Sequence, residues 1–438
     1  ALFGVIIFGI YRPKTSEYLD NHGTNRFYGD NISQDRVALI EDRYYSGLVR
    51  VNLIEKAEES LDISYYTIHD GISTDIFLAS ILEAADRGVQ VRFILDGIFH
   101  HLEGNLEDVI YAFSDHPNIE LKFYEPFSIL KPWTWNNRLH DKFIIVDNKL
   151  AIIGGRNIGD KYFAKDDVNI QVVNDRDVLI LNTNIEDYSN SVISQMEDYF
   201  NLVWNHKYSV YPKRSLTNRQ IRKGDEKSED LKYRNTFPTK KITLVHNPIE
   251  SLNKEPWVYY ELTNLARNSK NSILIQSPYI IPTRNMLKIL DIDSIKAKNI
   301  DILTNSLYAS PNPFAIAGYM NHRKNIVNNS RNVYEYQGPG SIHAKSYIFD
   351  ERISAVGSFN FDSRSVHLST ETMVIIDSEE FSENLKEKME KYMEQSLLVG
   401  EDYKYVESPD LRPEKVPFIK KFIIKIFSVI VYFFGFML

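Results

Sequence analysis

Six residues recur at one spacing in two places along this 438-residue chain: His, one residue, Lys, four residues, Asp, six residues, Gly, a small residue, one residue, Asn. The first set is His140, Lys142, Asp147, Gly154, Gly155 and Asn157; the second is His343, Lys345, Asp350, Gly357, Ser358 and Asn360. With each type near roughly one residue in twenty, two such matches at homologous places are remote as coincidence. Two imidazoles, two ammonium groups and two carboxamides gather positive charge and hydrogen-bond donors. A phosphate diester suits that set, because lysines and asparagines stabilise the charge that builds on its non-bridging oxygens. One imidazole can attack phosphorus and become a phosphohistidine. The other can protonate the leaving alkoxide and then deprotonate the incoming alcohol or water.

Metal binding is the competing use of His and Asp. Lys142 and Lys345 beside the imidazoles would repel a divalent cation, so neither a metal nor another cofactor is expected. The chain has no cysteine, which removes thiol catalysis, disulfides and cysteine-bound zinc. Two carboxylates follow in matching places at the heads of apolar runs, Asp177 in NDRDVLI and Glu371 in STETMVII. On a ring N–H each would orient an imidazole and support its cation; an exposed strand-end acid is the alternative. His100 and His101 are adjacent and make a poor pair. His367 reads as a surface-loop residue, and Tyr65 and Tyr66 read as core.

These residues need strands to carry them. FIIVD and SYIFD are strand-like, so His and Lys two apart project from one face. Asp147-Asn148 and Asp350-Glu351 read as turns, and a second strand leads from each to Gly-Gly or Gly-Ser. Gly155 and Ser358, being small, let a ligand approach the backbone, and Asn157 and Asn360 offer side-chain donors. The surrounding sequence repeats as well: residues 45–210 run parallel to 242–400, with helix-then-strand segments at Val51–Tyr66 and Tyr259–Ile280 and again at Ile81–Gly97 and Met286–Ser306. Alternating strands and helices predict an α/β fold of two similar lobes, each a mixed β-sheet flanked by helices.

Lys and Arg number 51 against 59 Asp and Glu, a net charge of −8, which argues against a general nucleic-acid binder. The apolar run Ala1–Ile10 reads as the tail of a membrane or signal segment, or else as a buried first strand. Phe418–Leu438 sets Lys421, Lys425, Ser428 and Tyr432 on one narrow helical face; it reads as a membrane-interface helix, or as one packed on the body. Basic residues flank both terminal runs on the body side, which places the body in the cytoplasm. Lys213–Lys241 holds ten Lys or Arg against four Asp or Glu and reads as a solvated linker or a basic arm. Pro126–Arg138 carries Phe127, Ile129, Leu130, Trp133 and Trp135, an apolar patch if exposed and core if not.

The paired motifs resemble the HxKxxxxD signature of the phospholipase D superfamily, and within it the chain is similar to bacterial cardiolipin synthases, especially the C-type branch. IIGGRNIGDKYF (Ile152–Phe163), SPYIIP (Ser277–Pro282) and GSFNFDSRS (Gly357–Ser365) carry that likeness. The resemblance implies two lobes related by pseudo-twofold symmetry with the active site between them. It makes His140 the nucleophile and His343 the general acid then base, with Asp147 and Asp350 completing each motif. Lys142, Lys345, Asn157, Gly155, Ser358 and Asn360 would hold the phosphate, and Asp177 and Glu371 would buffer the histidines.

The expected divisions are a lead-in at 1–44, lobes at 45–212 and 242–412, a linker at 213–241 and the terminal helix at 413–438. The expected activity is phosphatidyl transfer at a bacterial membrane, making cardiolipin from phosphatidylglycerol and a second phospholipid, with phosphatidylethanolamine as the other candidate donor. The partners are those lipids and an anionic membrane surface; nucleic acid is not expected and a helper protein stays open. Hydrolysis by water is the runner-up, followed by a phosphodiesterase nuclease, with a non-catalytic scaffold last.

Overall fold

The structure is a computed structural model that describes residues 16–21, 23–165, 168, 170–212 and 235–434. In the first half of the chain the strands are β1 (Asp35–Ile40), β2 (Ser60–Tyr65), β3 (Gln90–Asp96), β4 (Ile119–Tyr124), β5 (Arg138–Leu139), β6 (Lys142–Val146), β7 (Leu150–Gly154), β8 (Val173–Asn174), β9 (Asp177–Asn182), β10 (Ser209–Val210) and β11 (Phe237–Pro238). The second half adds β12 (Lys241–His246), β13 (Ser272–Gln276), β14 (Asn299–Asn305), β15 (Asn332–Tyr336), β16 (Ser341–Ile342), β17 (Ser346–Phe349), β18 (Ile353–Gly357), β19 (Ser369–Thr370), β20 (Thr372–Asp377) and β21 (Ser396–Leu398).

One sheet has the order β10-β4-β3-β2-β6-β7-β9-β1-β11 and the other β12-β20-β18-β17-β13-β14-β15-β21. Seven strands correspond in the same order, β4-β3-β2-β6-β7-β9-β1 with β15-β14-β13-β17-β18-β20-β12, so the duplication is structural. In each sheet the two strands that follow the opening helices run parallel and the HxK hairpin runs antiparallel beside them. The fold is α/β with two similar lobes, each a mixed β-sheet flanked by helices.

Period-two alternation builds the layers. Phe143 and Ile145 point into a core shared by both lobes, with Ile153 and Ile180 from the first sheet and Ile348, Val356 and Val374 from the second. Helices α3 (Val192–Trp204) and α7 (Glu379–Met393) close that core through Met196, Phe200, Phe381 and Leu385. Ile144 and Val146 point the other way, under α1 (Arg43–Glu55) and α2 (Ile72–Asp86). The corresponding outer face of the second sheet meets α4 (Trp257–Asn268) and α5 (Arg284–Leu290).

The expected lead-in at 1–44 and linker at 213–241 each hold a strand of the first sheet, β1 and β11. The first sheet begins before residue 45, because β1 pairs antiparallel with β9 and with β11. Those pairings are non-local, and local periodicity does not encode them. The terminal helix α8 (Phe418–Phe434) packs along α6 (Pro313–Asn328): Ile424 and Val431 are buried, Phe427 stacks on Phe314 at 4.1 Å, and Asn321 Nδ2 donates to the Ser428 carbonyl at 2.8 Å. Its other side leaves Phe418, Ile419, Phe422, Ile426 and Val429 exposed.

Among the described residues no helix is long and apolar enough to cross a membrane. The run Ala1–Ile10 and linker residues 213–234 lie outside the described residues. The loop before the first motif is not core: Phe127, Ile129 and Leu130 are 61%, 76% and 84% exposed, with Trp135 stacked on Phe127.

Candidate active site

Two short parallel ladders cross from lobe to lobe. β5 pairs with β19, setting Leu139 opposite Thr370, and β16 pairs with β8, setting Ile342 opposite Asn174. The next residue on each of the four strands is a member of the site: His140 and Glu371 after the first ladder, His343 and Asp175 after the second. Each histidine therefore meets a carboxylate from the opposite lobe. His140 Nδ1 lies 2.9 Å from Glu371 Oε2, and His343 Nδ1 lies 2.6 Å from Asp175 Oδ2. The neighbouring backbone fixes the arrangement, with His140 N donating to Thr370 Oγ1 at 3.1 Å and His343 N to the Asn174 carbonyl at 2.6 Å.

Asp177, expected on a histidine, stands elsewhere. Its carboxylate takes Ser46 Oγ at 2.7 Å, Arg156 Nε at 3.0 Å and Arg50 Nη2 at 3.0 Å in a fully buried cluster. Asp175 holds the ring instead. The two acids stand two residues apart where the chain enters β9; Asp175 pairs with His343 and Lys345 of the second lobe, Asp177 with Ser46, Arg50 and Arg156 of its own. The small residues after each Gly sit against these carboxylates. A Cβ on Gly155 would stand 2.2 Å from Asp175 Oδ1, and Ser358 Oγ donates to Glu371 Oε2 at 2.5 Å.

Asp147 and Asp350, grouped with the catalytic residues by spacing, lie at the far end of the strands. Asp147 accepts from the backbone N–H of Glu58, Glu59 and Ser60 at 2.8–2.9 Å, and Asp350 from those of Lys270, Asn271 and Ser272 at 2.7–3.1 Å. Both sit at positive φ in the hairpin turn, 49° and 51°. Each ties its hairpin to the start of the neighbouring strand, so their recurrence is structural.

Lys142 and Lys345 are buried. Lys142 bonds to the His140 carbonyl, while Lys345 Nζ lies 2.7 Å from His343 Nδ1 and 3.9 Å from Asp175 Oδ2. Burial pulls Lys142 down to about 7 and Lys345 to about 8. Burial, Lys142 and Lys345 together hold the His140 imidazole well below its usual value, so charges of both lobes act on one ring. Burial and Lys345 pull His343 down to about 4, against the pull of Asp175. Burial pushes Glu371 up to about 8, whereas Lys345 and His343 outweigh burial at Asp175 and hold it below the carboxylate range. Asn157 Nδ2 donates to Tyr162 Oη at 3.1 Å; the amide oxygens of Asn157 and Asn360 are buried without a hydrogen-bond partner.

Besides Asp175, four residues join the site that the sequence reading did not select. Tyr66 is not core like Tyr65; its ring meets His140 edge-on at 5.0 Å and lies 5.2 Å from Lys142 Nζ. Tyr162 meets His343 edge-on at 6.3 Å. Arg364, in GSFNFDSRS, lowers the proton affinity of His140 and keeps a buried Nη1 without a hydrogen-bond partner. Asp141 accepts from Tyr199 Oη at 2.8 Å and from Thr372 Oγ1 at 3.4 Å, clamping the strand that bears Glu371. No second-lobe counterpart signals it, because Ala344 holds that place. Among the described residues no group of three or more His, Asp or Glu is placed to hold a metal ion.

The sequence matches the family described as cardiolipin synthase, PLD-like domain, over residues 51–204 and 262–393. The chain belongs to that family. Its relatives include cardiolipin synthase C of Escherichia coli K12, 29% identical across 75% of this chain and 79% of that one. Cardiolipin synthase 1 of Staphylococcus epidermidis RP62A is 26% identical across 79% of this chain and 65% of that one. The crystal structure of phosphatidylserine synthase from Haemophilus influenzae Rd KW20 shares the fold, with a TM-score of 0.66 at 14% identity over 92% of this chain and 95% of that one. The two matched family segments carry His140 with Asp175 and His343 with Glu371, so each cross-lobe pair joins one segment to the other.

Proposed function

We propose that the protein transfers a phosphatidyl group through a phosphohistidine to the hydroxyl of phosphatidylglycerol, making cardiolipin. His140 Nε2 attacks phosphorus while its Nδ1–H is held by Glu371. The bond from phosphorus to the headgroup oxygen breaks, and that oxygen takes a proton from His343. The acceptor hydroxyl then returns a proton to His343 and displaces His140. The observation that carries this reading is the exchange of carboxylates between lobes, which backs each imidazole with an acid of the other lobe while Lys142 and Lys345 act on both rings.

The ionised Asp175 supports an imidazolium on His343, as the acid role needs. A phosphodiester brings negative charge that offsets Lys142 and Lys345, so its arrival raises the proton affinity of His343. The family and its named relatives favour a phospholipid over a nucleic acid. The exposed apolar face of α8 and the Phe127–Leu130 loop favour work at a membrane surface, with lysines on α8 toward anionic headgroups.

Lipid analysis after expression in a host lacking cardiolipin tests the reading. Cardiolipin should appear with the wild type and be absent with His140→Ala or His343→Ala, each still folded. Phosphatidic acid accumulating without cardiolipin would make hydrolysis the reaction instead.

A further inference from the structure

The duplication supplies an internal control for packing. On the outer face of the first sheet Leu61, Ile63, Val91, Phe93, Ile144 and Val146 are 0–2% exposed, because α2 lays Phe77, Leu78, Ile81 and Ala84 across them. Strand register matches these positions one for one with Ile273, Ile275, Ile300, Ile302, Tyr347 and Phe349. The covering helix there differs. The connection from β13 to β14 is nearly as long as that from β2 to β3, yet it forms only seven helical residues, α5, before Asp291 turns left-handed at φ 46° and a 3-10 turn follows at Ile292–Ser294.

The half-length helix leaves the sheet incompletely covered. Ile275 and Ile300 are half-buried where Ile63 and Val91 are sealed. About 780 Å³ of empty space, part of it open to solvent, lies over these strands. No charged side chain lines it.

We propose that this space holds an acyl chain of the phospholipid whose phosphorus sits between His140 and His343, a proposal that rests on the phosphatidyl-transfer reading. Two continuities single out that occupant. Phe361, which lines the space beside its bridge partner Ile280, directly follows Asn360 of the second motif, so one wall is continuous in the chain with the reaction centre. Ile326 of α6 also lines it and shares a buried cluster with Ile424 and Val431 of α8, so the other wall backs onto the helix with the exposed apolar face. Apolar side chains therefore join that helix, the space and the segment that carries Asn360. In the first lobe α2 seals the matching positions, so the two lobes share the chemistry while the second also reads the lipid tail.

Ile300→Trp puts an indole into the space, and Ser330→Trp blocks its half-buried rim should the first variant fail to fold. Turnover is compared on dioleoyl- and dihexanoyl-phosphatidylglycerol, and binding is read with phosphatidylglycerol bearing a pyrene-decanoyl chain. The variants should lose about tenfold in kcat/KM on the dioleoyl lipid and less than about twofold on the dihexanoyl lipid, with probe binding weakened to match. Equal losses on both lipids, or unchanged probe binding, would overturn the pocket. Tight probe binding lost in the variants, with neither lipid turned over by the wild type, would uphold the pocket and sink the transfer reading instead. A self-association of the wild type that Ile300→Trp abolishes would assign the space to a second copy and overturn the acyl proposal.

Discussion

Replacing Asp175 by Asn removes one charge from a site where shape is otherwise kept. The carboxylate accepts from His343 Nδ1 at 2.6 Å and from the Arg176 N–H at 2.8 Å. Asn can still accept from the backbone, but its amide cannot stabilise an imidazolium as an anion does. Loss of general acid–base help is worth about 10²–10⁴ in rate, or about 3–5 kcal/mol of barrier. The effect should depend on the leaving group. With a lipid headgroup, turnover falls by that factor; with a p-nitrophenyl phosphodiester, whose phenolate leaves without a proton, Asp175→Asn should release one equivalent in a burst and then stall, because His343 must still deprotonate the second alcohol or water. Asp177→Asn is the contrast. It leaves Arg50 and Arg156 buried without their anion and should cost about 3–5 kcal/mol of stability, while the fraction that stays folded works at near the normal rate. A loss below tenfold for Asp175→Asn, or a burst from Asp177→Asn in its place, would refute the assignment.

Three further outcomes follow from the geometry. Glu371 is held at about 8 by burial, above the usual carboxylate value of 4.5; its contribution to stability is fully present below pH 4.5 and is lost as pH rises through 8, so the melting temperature of Glu371→Gln should gain on the wild type across that window, and parallel curves would contradict it. Asp147→Ala deletes three backbone hydrogen bonds remote from the cleft and should lower stability by about 1–3 kcal/mol with kcat per folded molecule unchanged; a rate loss without a stability loss would return Asp147 to the chemistry. Removing residues 418–434 should release the protein from anionic vesicles in a sedimentation assay, and unchanged sedimentation would make α8 purely a packing element.

The HxK pairs were legible because strand alternation alone puts His and Lys on one face, and the duplication was legible because both halves repeat their helix-and-strand order. Spacing could not separate roles within the motif. Asp147 and Asp350 recur as faithfully as the histidines, yet they hold turns. The histidine partner was missed by two residues: register sets Gly154 opposite Asp177 and Gly357 opposite Met373, which makes Asp175 and Glu371 equivalent, whereas reading the nearest acid to the apolar run selects Asp177. That each carboxylate serves the other lobe is a property of the β5–β19 and β8–β16 ladders, pairings between segments far apart in the chain. Tyr66 sits one residue past the end of β2, where alternation no longer says which way a side chain turns.

The account turns on one covalent bond, and trapping it is the most direct measurement. Incubating His343→Ala with a p-nitrophenyl phosphodiester, quenching in alkali and mapping the modified peptide by mass spectrometry should place the phosphorus on the imidazole of His140, with the adduct lost in acid. Phosphorus on another side chain, or release of p-nitrophenol in step with free product and no adduct, would contradict it.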